Sequence, residues 1–269
     1  MDVTHVLHMN GGIGKSSYAN NSFLQHKVIS LTKNIREEAI TNLYSSMLPK
    51  CLAIAELGCA SGPNTFIVVS EIIKIVEKLC KEMNHKSPEY KVFINDLLEN
   101  DFNNIFNSIK SFKEKLSNEL ESHIGPCYFY GVPASFYGRI FPNQTLHFVH
   151  SSYSLHWLSK GIIKEENFDT FNIPSYNPSP SEVKLDVLKE GSFTINSLEV
   201  SEVKFESEKC ESFNDSGYNV SQCMRAIAEP MLVNHFGKAI MEELFYCYQE
   251  ILSDHMSRRK LRSSMLPYY

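Results

Sequence analysis

Two acidic side chains stand where apolar runs give way to small residues, Glu56 in "CLAIAELGCASGPN" and Asp96 in "YKVFINDLLEN". A dinucleotide fingerprint would need its glycines spaced G-x-G-x-x-G, whereas here they are Gly58 and Gly62. Glu56, at the end of the first run, would also repel a pyrophosphate. Its placement suits a ligand that carries positive charge and hydroxyls, and S-adenosylmethionine has an ammonium, a sulfonium and a ribose diol. Asp96 is then placed to accept hydrogen bonds from both ribose hydroxyls. The structural alternative for Asp96 is a helix cap after a strand.

A second glycine cluster, "MNGGIGKSSYANNS", invites a phosphate reading that fails on inspection. With Gly14-Lys15-Ser16 in place, a Walker loop needs glycine at position nine, which is Met9. Only eight residues precede Met9, too few for the buried strand that such a loop follows. Tyr18 and Phe23 are too apolar for a solvated tail, and a helical pattern begins at Gln25, so the segment is expected to fold back as an arm over a pocket.

The elements that must position these residues are legible in the pattern. "CLAIAEL" (Cys51 to Leu57) reads as a strand covered on both faces, then comes a Gly/Ser/Pro turn, then an apolar helical period over Thr65 to Met83. Buried-strand patterns recur at Tyr90 to Asp96, Cys127 to Val132 and Thr145 to His150, which predicts a mostly parallel α/β sheet. Ser179, Pro180, Glu182 and Gly191 mark a capped helix. The stretch from Phe193 to Phe205 alternates as a half-exposed strand, and Asn219 to Met256 is helical, with Pro230 and Gly237 as kink and break.

Composition narrows the partners. A formal charge of -5, from 26 basic against 31 acidic residues without blocks of one sign, argues against nucleic acid and for a small molecule. Seven scattered cysteines, never spaced as CxxC, predict reduced thiols and no zinc site. The absence of a signal-like start and of a long apolar run predicts a cytoplasmic protein with no membrane partner.

In order and spacing, "MNGGIGKSSYANNSFLQ", "ELGCASGPN", "INDLLENDFN", "GVPASFYGRIFP" and "HSSYSLHWLS" resemble the signature blocks of the plant SABATH methyltransferases, and among them the salicylate and benzoate carboxyl methyltransferases. The similarity continues through "FNIPSYNPSPSEVK", "KEGSFTIN" and "GYNVSQCMRAIAEPML". The resemblance implies a Rossmann-like S-adenosylmethionine-dependent methyltransferase sheet with a helical cap, methylation of a small aromatic carboxylic acid to its methyl ester, and a homodimer. Carried over by motif, it assigns Tyr18, Ser22, Glu56, Cys59, Asn64, Asp96, Leu97, Ser135 and Phe136 to the S-adenosyl-L-methionine site. Gln25, Tyr153, His156, Trp157 and Tyr176 go to the acid, and Asp169, Phe171 and Asn172 lie near an implied magnesium. Where the family usually reads "ADLGC", this chain has Glu56, and His156 leaves the choice between benzoate and salicylate open. By itself, Trp157 reads as core packing and His156 as a structural histidine.

The implied chemistry is undemanding in protons. A benzoic acid, titrating near ~4, is already ionised at neutral pH, so the nucleophile needs no general base. Gln25 and Trp157 could grip it as neutral donors, without the salt bridge that would quench it. The chain departs from the family after "HWLS", where several dozen residues with the fifth strand and flanking helices are missing and Ser159 runs straight into Lys160, and again at "RRKLRSSMLPYY". The expected domains are an arm with the cofactor-binding core over 1–159, and a cap remnant with a C-terminal strand and helices over 160–269. An incomplete sheet and weakened activity are expected. The alternatives are a non-catalytic isoform that binds cofactor or acid or pairs with an intact subunit, and N-methylation of a xanthine.

Overall fold

The computed structural model describes residues 7–120, 124–154, 176–201 and 216–258. They fall into two compact units, one within residues 2–154 together with 223–234, the other within 155–222 and 235–269.

The first unit is built on a parallel sheet of β1 (Cys51–Leu57), β2 (Glu89–Asp96), β3 (Cys127–Pro133) and β4 (Phe148–Ser151), in the order β3-β2-β1-β4. Leu52, Ala53, Ile54 and Ala55 are buried, as the unbroken apolar run of a central strand requires. α4 (Asn64–Glu82) joins β1 to β2, and α5 (Phe102–Leu120) joins β2 to β3. Right-handed crossovers running the same way along the sheet place both helices on one face. That face carries Leu52 and Ile54 of β1, Tyr90, Val92 and Ile94 of β2, and Phe129 of β3. It forms the main core with Phe66, Val69, Ile72, Ile73 and Val76 of α4 and Phe112 and Leu116 of α5. Phe66 stacks on Phe112 at 4.8 Å, and both meet Phe129 edge-on.

The opposite face is treated differently. Ala53 and Ala55 are buried there at the centre, but Tyr128 (47% exposed) and Tyr130 (42%) on β3 and Val149 (50%) on β4 are not. In this strand order the second face is the one that crossovers leaving β4 would cover, because the chain reverses direction across the sheet at β1. The irregular connection from β3 to β4 covers part of it, with Phe141 edge-on to Phe93.

Two expected strands differ from their patterns. β4 begins at Phe148 and not at Thr145, because His147 Nδ1 accepts the Ala53 N–H (3.1 Å), taking the place of a β4 carbonyl, while the His147 N–H still reaches the Ala53 carbonyl. The expected strand at Phe193 to Phe205 is not formed over its described part, 193–201, where Phe193 is 70% and Val200 60% exposed. Alternation alone makes no strand, since the pattern needs a neighbouring ladder to satisfy its backbone.

Ahead of the sheet, α1 (Tyr18–Asn21) and α2 (Phe23–Leu31) form the arm, and α3 (Lys33–Met47) packs on α4, with Arg36 paired to Glu71 at 2.5 Å. In the second unit, α6 (Pro180–Glu190) has its reciprocal cap: the Ser179 hydroxyl accepts the Glu182 N–H, and Glu182 accepts the Ser179 N–H at 2.7 Å. Gly191 closes it in the left-handed region. α7 (Ser216–Phe236) holds Pro230, and Gly237 breaks it from α8 (Met241–Arg258). Among the described residues no helix is long and apolar enough to cross a membrane.

Candidate functional site

In a parallel sheet of this order, ligands bind beyond the carboxyl ends of the strands, where β1 and β4 lead the chain in opposite directions. The turn after β1 lies there. Gly58 has φ +68°, and a Cβ on it would come within 2.5 Å of the Ser154 Cβ, so the position demands glycine. Cys59, Ala60 and Ser61 are buried behind it.

Neighbouring β2 supplies the restraints on this turn. The Asn95 carbonyl accepts the Cys59 N–H at 3.1 Å. Asp96 Oδ2 accepts the Ala60 N–H at 2.6 Å, and Oδ1 accepts the Leu97 N–H at 2.7 Å. Burial pushes the Asp96 carboxyl above the ordinary carboxylate value, and these two backbone donors offset part of that shift. Each oxygen keeps a lone pair for a further donor. Asn95 Nδ2 reaches the carbonyls of Val132 and Ala134 at 2.7 and 2.8 Å, which fixes the stretch leading to Ser135 and Phe136. The Phe136 ring lies against Gly58.

Glu56 is buried and turned towards β4, where its register partner His150 brings Nδ1 within 2.7 Å of Oε2. Cys59 is an unreactive thiol: burial, with the charges of Asp96 and then Glu56, raises it well above its ordinary value. Tyr18 is likewise a neutral phenol, held far up by burial and by nearby Cys223 and Asp96.

The arm closes over this turn. Tyr18 packs with Met9, Ala60 and Ala226, and Gly62 lets Ala19 approach closely enough that a Cβ would sit 3.0 Å from the Ala19 Cα. Ser22 Oγ accepts Asn64 Nδ2 at 3.0 Å, joining the arm to the start of α4. Asn10 donates to Glu229 Oε2 at 2.6 Å, and Gly12 N–H donates to Asp101 Oδ2 at 2.8 Å. Gln25, on the buried face of α2, is 3% exposed.

Tyr18, Ser22, Glu56, Cys59, Asn64, Asp96, Leu97, Ser135 and Phe136 thus all belong to the first unit, on the arm or at and directly following the ends of β1, β2 and β3. Tyr153, just beyond β4, has φ +59°, a costly conformation for a bulky residue. Tyr176 belongs to the second unit, where its hydroxyl donates to the Glu182 carboxylate. His156, Trp157, Asp169, Phe171 and Asn172 lie outside the described residues. Sequence reading passed over Asn10, Asn100 and Asp101, whose partners are distant along the chain. For the last two, the crowding of amides and acids in "NDLLEND" was the available signal.

The unpaired polar atoms, three amide oxygens and two hydroxyls, fit a polar nucleoside. Ser17 Oγ, Gln25 Oε1, Ser61 Oγ, Asn95 Oδ1 and Asn100 Oδ1 are buried polar atoms without a protein partner, and they sit on the arm, the turn and the end of β2. Buried polar atoms are seldom left unpaired unless a ligand or water serves them. A parallel α/β sheet with an acid at the tip of each of two adjacent strands, Glu56 buried and Asp96 half-buried, is the arrangement of the S-adenosylmethionine-dependent methyltransferase class.

Comparison with known proteins agrees and is more specific. The chain belongs to the SAM dependent carboxyl methyltransferase family, whose model matches residues 4–161 and 158–268. It is 43% identical to S-adenosyl-L-methionine:benzoic acid/salicylic acid carboxyl methyltransferase 2 of Petunia hybrida, with 97% of this chain and 96% of the relative covered. It is 40% identical to the salicylate carboxymethyltransferase of Clarkia breweri, over 97% and 96%. A solved structure, loganic acid methyltransferase with SAH, matches with a TM-score of 0.74 at 27% identity, covering 92% of each chain. The Petunia alignment spans 345 positions against 269 residues here, so at least 76 of its positions have no counterpart. The two family-model stretches meet at 158–161, a few residues beyond β4.

Gly58→Ala is expected to lower the thermal midpoint by several degrees and to weaken S-adenosylhomocysteine binding at least tenfold, as both the positive φ and the Ser154 contact are violated. Differential scanning calorimetry with and without the ligand checks it, and unchanged binding would remove the turn from the site.

Proposed function

We propose that this chain methylates the carboxylate of a small aromatic acid of the benzoate or salicylate type, releasing the methyl ester and S-adenosylhomocysteine. The similarity to the Petunia and Clarkia enzymes supports that acid class. The observation that carries the reading is Gln25, a buried neutral amide whose N–H can donate to a carboxylate, on the arm helix that follows the Ser22–Asn64 contact.

A carboxylate substrate is ionised at neutral pH, so the protein's work is orientation. When bound, S-adenosylmethionine supplies an electrophilic methyl group on a sulfonium. Asp96 is read as the acceptor for the ribose diol, Glu56 as the nearby negative charge that favours a cationic ligand, and Phe136 and Leu97 as walls for the base. Gln25 and Trp157 hold the acid as neutral donors, with Tyr153, His156 and Tyr176 around it. Fixing one carboxylate oxygen in line with the breaking bond can supply on the order of 7 to 11 kcal/mol. The same motif resemblance supports a homodimer, a cytoplasmic location and a magnesium ion near Asp169, Phe171 and Asn172.

A second reading, a chain that binds ligand but transfers methyl slowly, is favoured by the at least 76 alignment positions without a counterpart here, by the meeting of the two family-model stretches at 158–161 and by the exposed second face of the sheet.

With tritiated S-adenosylmethionine and a panel of benzoate, salicylate, jasmonate and a xanthine, label is expected in the benzoate and salicylate esters. Gln25→Ala should raise the KM for the acid about tenfold, leaving S-adenosylhomocysteine affinity within twofold. Labelled xanthine, with the acids untouched, would overturn the carboxylate reading.

Asp96 gives a pH test. Its folded-state value is raised, so its ionisation costs stability as pH rises from the ordinary carboxylate value through the raised one. Ligand binding runs the other way, since an ionised acceptor is needed. Affinity for S-adenosylhomocysteine should therefore fall as pH drops from neutrality through the raised Asp96 value, and Asp96→Asn should bind weakly with no such slope. Calorimetric titration across that range decides, a flat parent profile counting against the assignment.

Inserting the corresponding Petunia span after Ser159 is expected to raise kcat and the thermal midpoint together. Equal kcat with and without the insert would dismiss the second reading.

A further inference from the structure

Ala60 is an L-residue held at φ +52°, in the region that glycine occupies freely and alanine avoids. The two peptide groups that flank it are gripped by the last residue of β2 and by the loop that follows it. The group before it donates its N–H to Asp96 Oδ2 at 2.6 Å, and the group after it offers its carbonyl to Asn100 Nδ2 at 3.0 Å. Asn100 is itself anchored, 7% exposed, with its N–H on the Leu97 carbonyl (3.0 Å) and its carbonyl taking the Phe102 N–H (2.9 Å). Only the amide nitrogen can donate to a carbonyl, so the side chain is oriented with Nδ2 on Ala60, leaving Oδ1 buried without a partner.

We infer that Asn100 is a positioning residue for the methyl donor, acting through Ala60. It holds the Cys59–Ala60–Ser61 turn in its left-handed form, which in turn keeps the Ala60 N–H on Asp96 and the Asp96 carboxylate aimed at the ligand. Without the Asn100 donor, the Ala60 carbonyl keeps only the weak Cys59 thiol donor (3.2 Å), and the strain at φ +52° is released by rotation of both flanking peptides. Asp96 then loses a donor and its orientation. The inference rests on the proposal that this crevice takes S-adenosylmethionine.

The turn chemistry makes the idea separable from a general loss of structure. Glycine at position 60 adopts the left-handed conformation without cost, so it should preserve the turn when Asn100 can no longer enforce it. In calorimetry with S-adenosylhomocysteine, Asn100→Ala is expected to bind about tenfold more weakly than the parent chain, as for a lost buried hydrogen bond. Asn100→Asp, equal in shape but without the donor, should show a similar loss. The double variant Asn100→Ala with Ala60→Gly should recover to within about threefold of Ala60→Gly alone, and circular dichroism should report unchanged helix content throughout.

If Asn100→Ala binds as the parent does, or if glycine at position 60 restores nothing, the inference is overturned while the methyltransferase reading stands. If both Asn100 variants fail to fold, its role is general stability and the inference falls. A parent chain that ignores S-adenosylhomocysteine overturns the cofactor reading itself.

Discussion

The short bond from the Ala60 N–H to Asp96 Oδ2 is the contact on which the ligand end of this molecule depends. It joins the turn after β1 to the tip of β2, while Leu97 N–H occupies the other carboxylate oxygen. A desolvated carboxylate is costly unless donors surround it, and two backbone N–H groups, one on each oxygen, serve it here. The same six residues that follow Asn95 also reach the arm, since Asp101 takes the Gly12 N–H. Cofactor end, turn and arm are therefore one hydrogen-bonded assembly.

The arm is a structural element in its own right. Asn10 is held by α7 through the Ala226 carbonyl, the Arg225 carbonyl and Glu229, and it holds Tyr18 through its own carbonyl. Glu229 is in turn paired with Arg225 at 2.9 Å. That part of α7 thereby belongs with the N-terminal sheet, although more than two hundred residues separate the partners. Tyr18, buried and un-ionised, lies over Ala60 as an apolar cover that excludes water from the turn.

The sheet is lopsided, and the reason is topological. α4 and α5 both cross on one face and give it a dense aromatic and aliphatic core. The other face, which crossovers beyond β4 would cover, keeps Tyr128, Tyr130 and Val149 exposed. At least 76 positions of the Petunia alignment have no counterpart here, and the two family-model stretches meet at 158–161, a few residues beyond β4. Near the switch point, a crevice of about 260 Å³ lined by Leu57, Phe136, Ile140, Phe141, Leu146 and Val149 marks where this face is partly walled by the β3–β4 connection.

Much of this was readable from residue order. The apolar runs at β1, β2 and β3, the Ser179 to Gly191 caps, the glycine turn and the acids at the strand tips each depend on neighbours a few residues away, so local pattern sufficed to predict them. The blocks around Gly58, Asp96 and Phe136 also carried the family. Tertiary structure alone decided the rest: His147 replacing a strand carbonyl, Glu56 meeting His150, Asn100 restraining Ala60, and Asn10 reaching Glu229. It also decided that the alternating residues after Phe193 form no strand over 193–201. Each of these turns on a partner remote in the chain, and a hydrogen-bonding group's worth depends on what folding brings within about 3 Å of it.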